Sequence, residues 1–284
     1  MRNYDDINVK IDIKEVLSYL GLAVQEGPDP AAVRDDGSGA DGFGILTAAS
    51  GDEDFKNAAA AVSSWLKENA DGGRNENIAD QLMKAAGLIL ENARPRSFYT
   101  VSDIKKSDGN IYLGNSSIKI PGLDAGKLLG ECSSCIIMAA TLGGQVDRLI
   151  RRYQVSDMGM AVILNSCAAA GIESVCNELK QRLESEYEAR GLYLTMRYSP
   201  GYGDMPLSLQ ADLCRLLQTE KRLGISVTPG MALLPSKSVT AIIGISDRPQ
   251  LGSRGYSLSC DSCRAAASCL KRRSGGKCGY EQKS

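Results

Sequence analysis

The order of strand-like and helix-like segments is the feature that most restricts the fold of this chain. Two long apolar runs, "SSCIIMAATLGG" and "SVTAIIGIS", are typical of buried strands, and the second predicts a central one. The strand-like runs "SFYTVSDI" and "NIYLG" flank "KKSDG", whose Asp108-Gly109 pair is a strong turn signal. Helical segments are mixed in without a regular strand–helix–strand repeat, so the pattern favours an α+β fold with a largely antiparallel sheet.

Helical spacing recurs along the chain and predicts long flanking helices. The predicted helices are "IDIKEVLSYL", "DFKNAAAAVSSWLKENA", "ENIADQLMKAAGLILENA", "LDAGKLLG", "QVDRLIRRY", a long helix from Asp157 to near Gly191 with Ser156 as its cap, and "LSLQADLCRLLQTEKRLG". Between the last two lies a predicted strand, "LYLTMRYS". The small residues Ala168 to Gly171 predict close helix packing, with a functional role as the alternative.

Composition excludes several classes of function. The chain has 284 residues, with 33 Lys plus Arg against 34 Asp plus Glu, and aromatic residues make up only 5%. Neither the charge nor the aromatic content predicts a nucleic-acid partner. Histidine is absent, which removes imidazole catalysis and histidine metal sites. The N-terminus has no apolar signal core and no apolar run reaches membrane-spanning length, so we expect no membrane partner and a cytoplasmic protein.

The chain divides into four predicted parts. Residues 1–25 carry the first helix, residues 76–250 form the core, and residues 251–284 are a cysteine-rich tail. Residues 26–75 are predicted to be an acidic, glycine-rich and mobile insert. The segment from Glu26 to Asp54 contains eight acidic residues and one basic residue, Arg34.

The stretch "RYSPGYGDMPLSLQ", residues 197–210, is the strongest candidate for a ligand site. Arg197 lies at the end of a predicted strand. Its planar, charged guanidinium can bind a carboxylate through two hydrogen bonds. Gly201 and Gly203 permit positive φ or close ligand approach, and Tyr202 offers a ring and a hydroxyl. Asp204 is expected near the N-terminus of the next helix. The alternative is a rigid strand-to-helix connection with a surface Arg–Asp pair.

These motifs resemble the activation (reactivation) domain of cobalamin-dependent methionine synthase, in its stand-alone versions. The resemblance rests on "RYSPGYGDMPLSLQ", "LGISVTPGMALLPSKSVTAIIG", "IKIPGLDAGKLL" and "IIMAATLGGQVDRLI", and extends over residues 11–21 and 76–247. It implies a C-shaped single domain that binds S-adenosylmethionine. By motif position, Arg197 would bind the methionine carboxylate, Ser199 would contact the ligand through its backbone, and Tyr202 would line the site. After Tyr202 the domain of the fused enzyme has a different, proline-rich continuation, so roles for Gly203 and Asp204 are inferred from this sequence alone.

The resemblance also implies a reaction and its partners. S-adenosylmethionine would methylate reduced cobalamin held by a corrinoid methyltransferase, most simply methionine synthase, in methionine biosynthesis. A flavodoxin or ferredoxin-type donor would supply the electron. The transfer needs no general acid or base, so a chain without histidine could promote it by positioning.

The tail contains four cysteines that could bind a metal. Cys260, Cys263, Cys269 and Cys278 are separated by two, five and eight residues, which could hold zinc or an iron–sulfur cluster; free thiols are the alternative. Cys132, Cys135, Cys167, Cys176 and Cys214 are predicted to be small buried residues. Two other functions therefore stay open: a redox accessory protein that uses a tail cluster, and a scaffold that binds the ligand without methyl transfer.

Overall fold

The computed structural model describes residues 2–4, 7–22, 45–69, 76–114 and 116–249. The strands are β1 (Arg2–Tyr4), β2 (Lys10–Asp12), β3 (Ile45–Thr47), β4 (Arg96–Ser107), β5 (Asn110–Leu113), β6 (Lys119–Ile120), β7 (Ser134–Thr141), β8 (Tyr193–Leu194), β9 (Ser226–Val227), β10 (Leu233–Leu234) and β11 (Ser238–Ser246). The helices are α1 (Ile13–Tyr19), α2 (Asp52–Asn69), α3 (Glu76–Asn92), α4 (Leu123–Leu129), α5 (Gly144–Ser156), α6 (Met158–Glu188), α7 (Leu209–Leu217) and α8 (Thr219–Leu223).

One sheet organises the core. Its strand order is β6-β5-β4-β7-β11-β8, with β1 paired to the other end of β4. Every one of these pairings is antiparallel. The predicted α+β class and antiparallel sheet are confirmed, as is the central position of β11, which pairs with β7 on one side and β8 on the other.

The two faces of this sheet bury two separate hydrophobic clusters. One face, here called the α6 face, packs against α1, α2, α3, α5 and α6. The opposite face, the α7 face, packs against α4, α7 and α8, and its cluster includes residues of the sheet strands β5 and β6. Alternate residues of β7 point to opposite faces, as a strand requires: Ile136 belongs to the α6 face, and Ile137 to the α7 face.

Helix α6 crosses the sheet as the central element of its layer. Its 31 residues span about 46 Å at ~1.5 Å per residue. Gly171 packs so closely that an added Cβ would lie 3.2 Å from a methyl of Val9 and 3.4 Å from one of Leu142, which confirms the packing role of the small residues. The helix is long and apolar enough to cross a bilayer, but 67% of its most apolar window is buried in the protein, as in the core helix of a soluble domain.

Three sequence-based boundaries were wrong. Ser156 does not cap α6; its hydroxyl donates to the Arg152 carbonyl at the end of α5, and Asp157 caps α6 by accepting from the Met160 amide at 3.0 Å. The predicted helix "LSLQADLCRLLQTEKRLG" is divided into α7 and α8 because Gln218 adopts a left-handed φ of 53°. The predicted strand "LYLTMRYS" is regular only over β8.

Other local predictions are confirmed. Asp108 and Gly109 have φ values of 50° and 73°, the positive values that a two-residue hairpin turn between β4 and β5 requires.

Part of the predicted insert is folded. Residues 45–69 fall within the predicted insert, yet they carry β3, which pairs with β2, and α2, whose Val62 and Leu66 are buried in the core. The rest of that insert, residues 26–44 and 70–75, lies outside the described residues.

Candidate ligand site

A β-bulge decides which side of the sheet receives Arg197. Leu194 is opposite Ile245, whereas Tyr198 is opposite Ile242. Four steps along one strand therefore match three along β11, and one residue is extra. Leu194 belongs to the α6 face and Tyr198 to the α7 face, although an even spacing in a regular strand would put them on the same face. The bulge thus turns Arg197 towards α6.

Arg197 is buried and anchored on α6. Its side chain is only 7% exposed, and its Nη2 donates to Glu173 Oε2 at 2.9 Å and to Asn177 Oδ1 at 2.8 Å. Glu173 and Asn177 lie four residues apart, on one face of the helix. These bonds fix the plane of the guanidinium, which is the state that bidentate recognition of a carboxylate needs.

Helix α1 carries Tyr19, with its partner Glu15, towards the Arg197–Glu173 pair. Asp12 caps α1 by accepting from the Lys14 and Glu15 amides at 2.9 and 3.3 Å. One turn on, the Tyr19 hydroxyl donates to Glu15 Oε1 at 2.8 Å. Burial, Glu15 and Glu173 raise the pKa of Tyr19 far above its ordinary value, and Arg197 acts in the opposite direction. The hydroxyl of Tyr19 is therefore protonated near neutral pH and lies within the electrostatic reach of both ends of the Arg197–Glu173 pair.

The turn after Arg197 is closed by its own backbone. The Tyr202 amide donates to the Ser199 carbonyl at 3.1 Å, and the Gly201 amide donates to the Met205 carbonyl at 2.9 Å. Gly201 and Gly203 both have positive φ, 86° and 57°, as predicted from the sequence. The Tyr202 ring is 39% exposed and meets the Tyr198 ring edge-on, at 5.7 Å between centroids. The turn therefore presents Tyr202 on a rigid backbone.

Asp204 binds a helix that precedes it by about eighty residues. Its carboxylate accepts from the Leu123 amide at 2.6 Å and from the Asp124 amide at 3.3 Å, across sequence separations of 81 and 80 residues. These are the first amides of α4, whose own N-cap position, Gly122, has no side chain to offer. The alternative of a surface Arg–Asp pair is corrected, since Arg197 is buried against α6 and Asp204 caps α4.

Comparison with known proteins finds a family that resembles part of the chain. Residues 136–251 match the family model described as "Vitamin B12 dependent methionine synthase, activation domain". Over these residues the chain is similar to that family. The matched range includes α6, the Arg197 turn and β11, and leaves out α1 and α4.

One solved structure aligns with much of the chain. "Crystal Structure of the MetH Reactivation Domain bound to AdoHcy" aligns with a TM-score of 0.48 and 16% sequence identity, over 79% of this chain and 84% of that chain. No curated protein matches the chain.

The structure puts the predicted site residues in three places. Arg197 is in contact with α6, whereas Ser199, Gly201 and Tyr202 form the adjoining turn and Asp204 holds α4. Their contacts with a ligand stay predictions. Sequence reasoning missed Glu173, Asn177, Glu15 and Tyr19. The only sequence signal for the first pair is a polar pair four residues apart within an apolar helix.

The cysteines of this chain are buried thiols where the structure describes them. The five described cysteines are all free and buried, as predicted. Burial raises the pKa of Cys135, Cys167 and Cys176 to about 12, so these thiols are neutral and poorly reactive near neutral pH. No cluster of three metal-ligating residues occurs in the described part of the chain. The four tail cysteines, Cys260, Cys263, Cys269 and Cys278, lie outside it.

Proposed function

We propose that this protein binds S-adenosylmethionine at the Arg197 turn and, in the cytoplasm, supplies its methyl group to the cobalamin of a corrinoid methyltransferase, most simply methionine synthase. The observation that carries the proposal is the buried Arg197, held by α6 within the residues that match the activation-domain family. A cationic group at this depth needs charged or hydrogen-bonded partners, and a carboxylate ligand would supply one.

The charges around Arg197 suit the amino-acid part of S-adenosylmethionine. Arg197 would bind the α-carboxylate in a charge-assisted contact. Glu173, which binds Arg197, and Glu15, which binds Tyr19, would accept from the α-ammonium group. The exposed Tyr202 ring would lie against the sulfonium, since a cation is attracted to an aromatic face. Backbone groups of Ser199 and Gly201 would approach the ligand closely, because glycine leaves room there.

The proposed chemistry requires positioning and no proton transfer. The methyl group leaves a sulfonium, forms its new bond to reduced cobalt in the partner's corrinoid, and leaves a neutral thioether behind. Breaking the sulfur–methyl bond and forming the cobalt–methyl bond needs no general acid or base. This agrees with a chain that contains no histidine. The contribution of this protein would be the alignment of methyl donor and acceptor. The single electron that makes the cobalt nucleophilic would come from a flavodoxin or ferredoxin-type donor.

The binding step is tested by calorimetric titration of S-adenosylmethionine into wild type, Arg197→Ala and Arg215→Ala. A hydrogen bond to a charged group contributes about 1.5–3 kcal/mol, so loss of a two-bond contact lowers affinity by about 10²-fold or more. Arg215 is a matched control, since it also forms an ion pair, with Asp212 at 2.8 Å, but is 76% exposed on α7. Equal affinities for the two variants would reject the Arg197 site.

The reaction is tested by formation of methylcobalamin from a cobalt(II) corrinoid protein, S-adenosylmethionine and reductant. Formation that depends on this chain supports the proposal, and formation at the same rate without it contradicts the proposal. Ligand binding without methyl transfer to any corrinoid partner would favour the scaffold function.

The redox function stays a separate proposal that rests on the tail. The Cys260 and Cys263 pair, with Cys269 and Cys278, is the sequence observation in its favour. Iron and acid-labile sulfide in anaerobically purified protein, lost in Cys260→Ser, would support an iron–sulfur cluster. Zinc at one equivalent would indicate a structural metal, and no metal would leave free thiols.

A further inference from the structure

Thr195 forms an unusual link between the bulge and β11. Its amide donates to the Gly244 carbonyl at 3.0 Å, as in a regular antiparallel pair. The return bond is different, because the Gly244 amide donates at 2.8 Å to the Thr195 hydroxyl, Oγ1, instead of the Thr195 carbonyl. The hydroxyl in turn donates to the Met196 carbonyl at 3.0 Å. One side chain therefore replaces one backbone acceptor at the point where the register shifts.

The side chains around Thr195 and Gly244 are closely packed. Thr195 is fully buried. A Cβ on Gly244 would lie 2.5 Å from Cys132 Sγ and 3.0 Å from Thr195 Cγ2, so a side chain at position 244 would displace the threonine. A buried amide without an acceptor is costly, and the Gly244 amide depends on a group that only residue 195 provides.

The alternative register moves Arg197 to the wrong face. If the pairing at Leu194 and Ile245 continued without a bulge, Arg197 would stand opposite Ile242, where Tyr198 stands now. Ile242 belongs to the apolar α7 face, and residues directly opposite each other share a face. A slip of one residue therefore removes the guanidinium from Glu173 and buries it among apolar side chains.

We propose that Thr195 is the positioning residue for Arg197: its hydroxyl holds the bulge and so directs Arg197 to α6. The link to ligand binding rests on the function proposed above, but the effect on the Arg197–Glu173 contact does not. The two are separated by measuring folding stability, which needs no ligand, beside affinity.

The stability test is a double-mutant cycle between Thr195→Val and Glu173→Gln, by urea unfolding. Valine keeps the shape of threonine without the hydroxyl. In the wild-type background, Glu173→Gln should lower the folding equilibrium constant about tenfold or more, since it removes the charge partner of a buried arginine. In the Thr195→Val background, the same change should have less than a threefold effect, because Arg197 has left α6. Additive effects would overturn the proposal.

Controls separate the hydroxyl from general destabilisation. Thr195→Ser keeps the acceptor and should restore the full effect of Glu173→Gln. Thr240→Val removes a hydroxyl that is also buried in this sheet but has no hydrogen-bond partner among the described residues, and it should leave the cycle unchanged. If Thr195→Val does not fold, the cycle is run with Thr195→Ala, for which the same loss of coupling is expected and additivity again refutes the proposal.

The affinity test uses S-adenosylmethionine itself. Thr195→Val should bind at least tenfold more weakly than wild type under conditions where both are folded, and Thr195→Ser should stay within threefold of wild type. Wild-type protein that does not bind S-adenosylmethionine rejects the proposed function, while the cycle still decides the role of Thr195. Wild-type affinity in folded Thr195→Val would overturn the positioning role.

Discussion

Gly203 is the position where a single added methyl group should disturb the Arg197 turn most. In Gly203→Ala, the new Cβ would lie 2.1 Å from the Tyr198 hydroxyl oxygen and 3.3 Å from the ring carbon that bears it. The Tyr198 ring is buried and cannot move aside as a flexible chain can. A left-handed φ costs a non-glycine residue about 1–2 kcal/mol, and overpacking adds about 1–3 kcal/mol. We therefore expect a loss of about 2–5 kcal/mol in the free energy of unfolding.

Gly191→Ala separates these two contributions. Gly191 also has a positive φ, 69°, but an added Cβ there would have nothing within 4 Å. Gly191→Ala should therefore lose only the free energy of unfolding that comes from the left-handed backbone, about 1–2 kcal/mol. The assay is urea unfolding of the two variants with and without Tyr198→Phe, which removes the clashing oxygen and should recover most of the steric part. Equal losses for Gly203→Ala and Gly191→Ala, or no recovery with Tyr198→Phe, would refute the steric explanation.

The remaining predictions concern the cap of α4 and the buried thiols. Asp204→Ala should destabilise the protein by about 1–2 kcal/mol and speed amide exchange in α4. Asp204→Asn keeps an acceptor oxygen and should lose less stability. Unchanged exchange in α4 would contradict the capping role. Burial raises the pKa of Cys135, Cys167 and Cys176 to about 12 from an ordinary 9.0. Stability that is fully present below pH 9 should therefore be lost between about pH 9 and 12, by about 1 kcal/mol per thiol at pH 10, and equal urea midpoints at pH 8 and pH 10 would contradict this.

Local sequence signals were enough for the elements that depend on local chemistry. The turn at Asp108-Gly109, the apolar strands β7 and β11 and the helices α2, α3 and α5 follow from residue type and period alone. The cap of α6 was misassigned by one residue, since Ser156 and Asp157 are both good capping residues and only the end of α5 decides between them.

The candidate site was predictable only in part, because its decisive contacts join distant segments. The motif located Arg197 and its glycines. It could not specify the side of the sheet, since that depends on a bulge whose register is set by β11. The only sequence signal for Glu173 is its four-residue spacing from Asn177 in a mainly apolar helix, and that spacing does not point to Arg197. The destination of Asp204 lies in α4, which no periodicity connects to the turn.

The cap that Asp204 provides makes α4 a reporter of the ligand turn. Its first amides are held from a loop 80 residues away in sequence, so opening of the turn and fraying of the helix are coupled equilibria. A molecule that stabilises the closed turn should therefore slow amide exchange in α4, by at most the free energy of this coupling, without touching α4. Occupancy of the proposed site can then be measured from a helix that lies outside the residues matched by the family model, even for ligands that give no heat.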